Sequence, residues 1–69
     1  MAEYFTDISK MRKDRDDLEI KIDKALEFIG TDTFRNLSSD EKSMIHSQIH
    51  AMQIYYEILN TRIRFYKHL

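Results

Sequence analysis

The chain has 69 residues, no cysteine or proline and a single glycine, and its 11 Lys and Arg residues nearly balance its 12 Asp and Glu residues. This length suits one small domain, and the balanced charge excludes a protein that binds DNA through a uniformly basic surface. Without cysteine the chain has neither disulfides nor a zinc–thiolate site to stabilise so small a core, so we expect self-association to do so.

The first ten residues, MAEYFTDISK, contain an early acid and lack the apolar segment of a signal peptide. Nowhere does the sequence contain an apolar run long enough to span a bilayer. We therefore expect a soluble protein of the cytoplasm that does not bind membranes.

The first predicted helix covers residues 8–29. Asp7 is placed to cap its N-terminus, and Gly30 follows its end, where a residue in the left-handed conformation commonly terminates a helix. The helix has one mainly apolar stripe, which repeats every three or four residues and suits a single partner helix. Its members are Ile8, Met11, Arg15, Leu18, Ile22, Ala25 and Ile29.

A connector over residues 30–38 separates this helix from a second one over 39–68. Phe34 and Leu37 are three residues apart in the connector, which predicts a short helical turn whose apolar side chains cover the adjoining helix ends. Ser38 begins an S-x-x-E capping box that opens the second helix. The sequence thus predicts one all-α domain over residues 1–69, an antiparallel two-helix hairpin with a short helical turn between the helices.

The second helix has two neighbouring stripes, although a hairpin offers only one partner helix. The first stripe consists of Ile45, Ile49, Met52, Tyr56, Leu59, Ile63 and Tyr66. The second stripe consists of Met44, Gln48, Ala51, Tyr55, Ile58, Arg62, Phe65 and Leu69. Because each stripe needs its own partner, we expect the hairpins to assemble into a homo-oligomeric bundle larger than a dimer.

Polar members of these stripes are the first candidates for a binding function. Arg15 interrupts an apolar stripe and must find an acceptor, which is either a bound anion or a neighbouring carboxylate such as Glu19 or Glu57. On the second stripe Gln48, Tyr55 and Arg62 follow one another at seven-residue intervals. They suit either a ligand site or a hydrogen-bond ladder that fixes the register between helices.

Antiparallel pairing also predicts a basic and aromatic cluster at the open end of the hairpin, where the first helix begins and the second ends. Such a mixture suits a nucleotide, because basic groups bind phosphate and aromatic faces stack on bases. The alternative is a solvated face paired with nearby acids over core aromatics. The cluster comprises Tyr4, Phe5, Lys10, Arg12, Lys13, Arg15, Arg62, Arg64, Phe65, Tyr66, Lys67 and His68.

We find no pattern that indicates catalysis, a metal or a cofactor. His46 and His50 are four residues apart but lack the HExxH arrangement, so we interpret them as a surface pair. The single glycine leaves no oxyanion loop, P-loop or dinucleotide motif. An enzyme is therefore not expected.

From Asp17 to Ile63, about two-thirds of the chain, the sequence resembles small helical-hairpin proteins of tailed and crAss-like phages. The resemblance rests on Leu18, Lys21, Ile22, Lys24, Phe28, Ile29, Phe34, Leu37, Gln48, Ala51, Met52, Tyr55, Ile58, Leu59, Arg62 and Ile63. Similar hairpins occur in phage anti-CBASS and anti-Thoeris sponge proteins. These assemble, often as hexamers, and sequester cyclic oligonucleotide or cyclic ADP-ribose-type immune signals at subunit interfaces. The chain departs from the pattern at the Ala25-Leu26 pair and in its tail, RFYKHL.

The resemblance implies a phage anti-defence sponge, a hexamer or other higher homo-oligomer that sequesters a cyclic nucleotide in the host cytoplasm without cleaving it. Stripe geometry and the matched polar positions then supply the candidate ligand residues. The residues expected to stack on bases are Tyr4, Tyr55 and Tyr66. Those expected to contact phosphates are Arg15, Lys21, Lys24 and Arg62. Gln48 would contact a polar edge of the nucleotide. Two alternatives remain open, a module that docks onto a host or phage protein and a structural phage component.

Overall fold

Four helices make up the computed structural model, which describes residues 2–69, with side chains from Tyr4 onward. They are α1 (Ala2–Thr6), α2 (Ile8–Phe28), α3 (Asp32–Arg35) and α4 (Ser39–Lys67). Over the described residues there is no strand, so the predicted all-α class is confirmed. The Cα atoms form a rod of 48 × 18 × 17 Å.

Side-chain caps fix where the two long helices begin. The carboxylate of Asp7 accepts a hydrogen bond from the backbone N–H of Lys10, which caps α2 as predicted. Ser38 and Glu41 form the predicted capping box at the start of α4, each side chain accepting from the other residue's backbone N–H. These caps satisfy amide groups that a helix leaves without partners in its first turn.

The end of α2 differs from the prediction for Gly30. This glycine does not have the positive φ of a left-handed cap. Instead the backbone continues in tight turns, in which the N–H of Gly30 donates to the Glu27 carbonyl at 3.1 Å and that of Thr31 to the Phe28 carbonyl at 3.0 Å. The carbonyls of Glu27 and Phe28 are therefore satisfied without the left-handed conformation.

Arg15 of α2 is hydrogen-bonded to Asn60 of α4, and Glu19, four residues further along α2, is hydrogen-bonded to Tyr56, four residues earlier in α4. One apolar cluster contains residues of both helices, namely Ile8, Met11, Leu18 and Ile22 of α2 and Met52, Tyr56, Leu59, Ile63 and Tyr66 of α4. Leu59 and Met11 are fully buried in this cluster. The first stripe of α4 thus faces α2.

Phe34 of α3, which lies within the connector, is buried. Its ring makes edge-to-face contacts with Phe28, at a centroid distance of 5.9 Å, and with His46, at 5.4 Å. The short helical turn predicted between the helices is therefore present, and Phe34 covers the helix ends as expected.

The one helix that the sequence pattern did not predict is α1. Five residues are too short to display a helical period, so Tyr4 and Phe5 gave no signal of where they pack. None of the helices in the described part of the chain is long and apolar enough to cross a membrane.

Candidate binding site

Tyr4, Asp14 and Tyr55 meet where α1 contacts the two long helices. The Tyr4 hydroxyl donates a hydrogen bond to the carboxylate of Asp14 and lies 3.2 Å from the hydroxyl of Tyr55. The hydrogen bond to Asp14, assisted by the one shared with Tyr55, raises the pKa of Tyr4 well above its ordinary value. At physiological pH the phenol is therefore a neutral donor that holds α1 against α2 and α4.

A groove of about 260 Å³ lies beside this cluster, between α2 and α4. We call it the Tyr55 groove. Its lining consists of Asp14, Asp17, Leu18, Lys21 and Tyr55. Both carboxylates already have donors, because Asp14 accepts from Tyr4 and Asp17 accepts from the Lys13 ammonium at 3.0 Å. Lys21 makes no ion pair with any side chain that the structure describes, so its ammonium remains available to an anion.

Arg62 joins α1 to α4 along the same face as Tyr55. Its Nη2 donates to the backbone carbonyl of Phe5 at 2.5 Å, and its Cζ lies 5.0 Å from the centroid of the Phe5 ring. A guanidinium over an aromatic face is a favourable cation–π arrangement. Because Arg62 follows Tyr55 by seven residues on one helix, it extends the polar line of the Tyr55 groove by two turns.

A larger groove, of about 550 Å³, follows the opposite edge of the helix pair and is strongly acidic. Its lining consists of Glu19, Ile22, Asp23, Gln53, Tyr56 and Glu57. The Tyr56 hydroxyl donates to Glu19 at 2.7 Å, which ties the two helices together at this edge. Three carboxylates without a cation in the lining repel phosphate, so size alone does not make this groove suitable for a nucleotide.

Arg15 lies at this acidic edge, one turn before Glu19. Its Nη1 donates to the side-chain oxygen of Asn60 at 3.3 Å, and its Nε donates to Asp16 at 3.1 Å. Both acceptors belong to the same chain, so the charge on the apolar stripe is satisfied without a ligand. Arg15 and Arg62 therefore have separate partners within the chain, Asn60 and Asp16 for Arg15 and Phe5 for Arg62.

The remaining candidates lie apart from the Tyr55 groove. Lys24 is exposed one turn along α2 from Lys21, and Gln48 is exposed two turns along α4 from Tyr55. Tyr66 is half-buried against the core, with its ring edge-to-face to Phe65 at a centroid distance of 5.0 Å. Of the predicted residues, the fold therefore groups Tyr4, Lys21 and Tyr55, with Arg62 adjacent, and places Arg15, Lys24, Gln48 and Tyr66 elsewhere.

Sequence reasoning did not single out Asp14 and Asp17 as site residues, and it placed Phe5 in the basic and aromatic cluster at the open end of the hairpin. Helical spacing provided a usable signal, since Asp14, Asp17 and Lys21 recur at three- and four-residue intervals and so share one edge of α2. The contact of Phe5 with Arg62 had no such signal, because Phe5 precedes the periodic part of the chain.

The second stripe of α4 is largely solvent-exposed in the single chain. Met44 is 63% exposed, Ile58 48% and Phe65 61%, and Leu69 at the end of the stripe is 82% exposed. Phe5 and Ile54 are also about half exposed. The prediction of a second stripe that α2 does not cover is therefore confirmed, and it leaves an extended apolar face beside the Tyr55 groove.

A family model described as Sequestin matches residues 6–65. The chain belongs to the Sequestin family. Neither a curated protein nor a solved structure matches it. The family name indicates a protein that sequesters a molecule.

The Sequestin match covers α2, α3 and nearly all of α4, and with them Lys21, Tyr55 and Arg62. Tyr4, Phe5 and Tyr66 lie outside the matched span. The wall of the Tyr55 groove therefore belongs to the part of the chain that matches the family, whereas the α1 side chains that contact it do not.

Proposed function

We propose that this chain is a phage anti-defence sponge that binds and sequesters a cyclic nucleotide immune signal without cleaving it. In this proposal it acts in the host cytoplasm as a homo-oligomer of antiparallel helical hairpins, a hexamer or another higher oligomer. The observation that supports the proposal most directly is the Tyr55 groove, in which the Lys21 ammonium and the Tyr55 ring line one wall of a Sequestin-family fold.

The chemistry of the Tyr55 groove suits a nucleotide. Tyr55 offers an aromatic face for a base, and Lys21 offers a cation for a phosphate. Asp14 accepts from Tyr4 and Asp17 accepts from Lys13, so both carboxylates of the lining tie parts of the chain together. Nucleotide binding is therefore the function that this arrangement favours.

Charge in the groove also favours an assembled site. Within one chain the lining carries two carboxylates against one ammonium, so the groove is not cationic enough to bind a multiply charged phosphate by itself. A second copy of the chain that packs beside the groove would enclose the ligand and add cationic groups. The exposed second stripe provides the surface for such a copy.

Calorimetry with cyclic di- and trinucleotides and with cyclic ADP-ribose-type signals tests the proposal. We expect binding by the purified protein, and we expect mass spectrometry to recover the nucleotide unchanged after the complex is heated. We also expect the affinity to fall as salt is raised, because salt screens phosphate contacts made by exposed cations. If the wild-type protein binds none of these nucleotides, the sponge function is wrong.

Matched variants locate the site. Lys21→Ala and Arg62→Ala should each weaken binding by about 1.5–3 kcal/mol, the loss expected for a charged hydrogen bond. Arg64→Ala is the control for Arg62, because Arg64 carries the same charge two residues further along α4 and its side chain donates to Thr61 rather than to Phe5. Lys24→Ala is the control for Lys21. Equal losses from target and control variants would place the ligand outside the Tyr55 groove.

The alternative function is a module that docks onto a host or phage protein, and the exposed apolar face is the observation that favours it. This function requires no nucleotide. Docking would be favoured over sequestration if no cyclic nucleotide raised the melting temperature of the protein and the chain formed a stable complex with one purified host or phage protein.

A further inference from the structure

We propose that two copies of this chain pair through the second stripe of α4 in antiparallel orientation, about a two-fold axis between Tyr55 and Ile58. The inference rests on the self-association included in the proposed function and adds the face, the orientation and the register. The occupant of the exposed face is thus a second copy of the chain.

The spacing of the stripe is the first observation behind this pairing. Its members follow one another at intervals of four, three, four, three, four, three and four residues, which read the same in both directions, and the last member, Leu69, lies two residues beyond the end of α4. Reversing one copy therefore places every member opposite another member of the same stripe. The resulting pairs are Met44 with Leu69, Gln48 with Phe65, Ala51 with Arg62, and Tyr55 with Ile58, each formed twice.

Side-chain size and polarity agree with this register. The bulky Arg62 faces Ala51, the smallest residue of the stripe, which leaves room for its stem. Its guanidinium donates to the Phe5 carbonyl and stacks on the Phe5 ring, so part of its bonding capacity is already met within the chain. Tyr55 likewise has the Tyr4 hydroxyl as a hydrogen-bond partner. Phe5, half exposed beside Arg62, widens the apolar face.

Charge at the two ends of α4 favours antiparallel over parallel pairing. The first turn contains Asp40 and Glu41, and the last turn contains Arg64 and Lys67. Antiparallel copies bring each acidic end next to the partner's basic end and oppose the two helix dipoles, whereas parallel copies would bring like charges together. Between these ends, residues 43–61 carry a single formal charge, at Glu57, so the middle of the seam is free of charge repulsion.

The pairing also bears on the proposed ligand site. Tyr55 belongs both to the seam and to the Tyr55 groove. A two-fold axis beside Tyr55 brings the grooves of two copies together, with one Lys21 from each copy. The site would then be completed by the partner copy, which addresses the shortage of cations in a single groove.

Cysteine cross-linking tests the orientation and register, because the natural chain has no cysteine. We expect a mixture of Gln48→Cys and Phe65→Cys chains, held in a glutathione redox buffer, to form mainly mixed disulfide dimers. Neither variant should cross-link efficiently to itself, since in this register residue 48 of one copy lies about 25 Å along the seam from residue 48 of the other, and the same holds for residue 65. A mixture of Gln53→Cys and Asn60→Cys, at the same register on the other edge of α4, is the control and should remain monomeric on a non-reducing gel.

Several outcomes overturn the inference. Efficient self-cross-linking of Gln48→Cys and of Phe65→Cys would indicate a parallel seam. An oligomer in sedimentation that gives no mixed disulfide, with helicity preserved in circular dichroism, would place the interface on another face. If the wild-type protein is a helical 8.4 kDa monomer at micromolar concentration, both the proposed seam and the proposed homo-oligomer are wrong. Calorimetry on the same wild-type sample reports nucleotide binding separately, so failure of the seam and failure of the sponge function are distinguishable.

Discussion

Ile58 and Leu59 are adjacent in α4, yet Leu59 is fully buried against α2 while Ile58 is 48% exposed on the second stripe. One residue of helical rotation therefore separates the two apolar surfaces of this helix. The first surface holds the chain together, and the second is available to another molecule.

Leu59→Ala should lower the free energy of unfolding by about 2–5 kcal/mol, because it removes a fully buried side chain and leaves a cavity beside Met11. Ile58→Ala, measured at a protein concentration below that of assembly, should have a much smaller effect. Urea denaturation followed by circular dichroism compares the two variants. Similar losses from both substitutions would show that the faces of α4 have been assigned incorrectly.

Ser38→Ala should cost about 1 kcal/mol of stability, since it removes the hydroxyl that accepts from the backbone N–H of Glu41. Ser43→Ala is the matched control, as Ser43 is an exposed residue inside α4 where alanine is the better helix former. Thermal unfolding of the two variants under identical conditions measures the difference. A neutral Ser38→Ala would mean that the capping box contributes nothing to α4.

Gly30→Ala should be neutral or should stabilise the chain by about 0.4–1 kcal/mol, because alanine reduces the conformational entropy of the unfolded state. The backbone at Gly30 does not have a positive φ, and an added Cβ would lie 3.4 Å from the Glu27 carbonyl oxygen, an ordinary contact. Urea denaturation of the variant beside the wild type checks this. A loss above about 1 kcal/mol would instead support the left-handed cap that the sequence suggested.

Much of this fold follows from local rules that act within a few residues. Asp7 and the Ser38 capping box fix the helix starts, and a period of three to four residues identifies the faces. Gly30 shows where such rules fail, because a glycine after a helix permits the left-handed conformation without requiring it. Its actual conformation depends on how α3 continues the chain, which local sequence does not reveal.

The candidate site was less predictable, since it depends on which edge of the helix pair each polar residue occupies. Arg15 and Tyr55 both belong to stripes, but the fold places Arg15 at the acidic edge and Tyr55 on the opposite one. Small rotations of each helix decide these positions, and a heptad pattern does not specify them. The contacts of Tyr4 and Phe5 were beyond prediction because α1 is too short to show a pattern.

The hydrogen bond from Tyr4 to Asp14 predicts a late alkaline titration for this tyrosine. Its pKa is raised in the folded chain, so the stabilisation it provides is fully present below the unfolded value of about 10 and is lost as pH rises through the folded value. Subtracting the ultraviolet titration of Tyr4→Phe from that of the wild type, which has four tyrosines, isolates the group.

In the folded protein this difference curve should rise at higher pH than the same difference measured in denaturant. The contacts of α1 should accordingly be insensitive to tyrosine ionisation across neutral pH and weaken only in strong alkali. Coincident curves would mean that Tyr4 is not held by Asp14. In that case α1 would not be tethered through the phenol, and Tyr55 would lose its only partner on that helix among the described contacts.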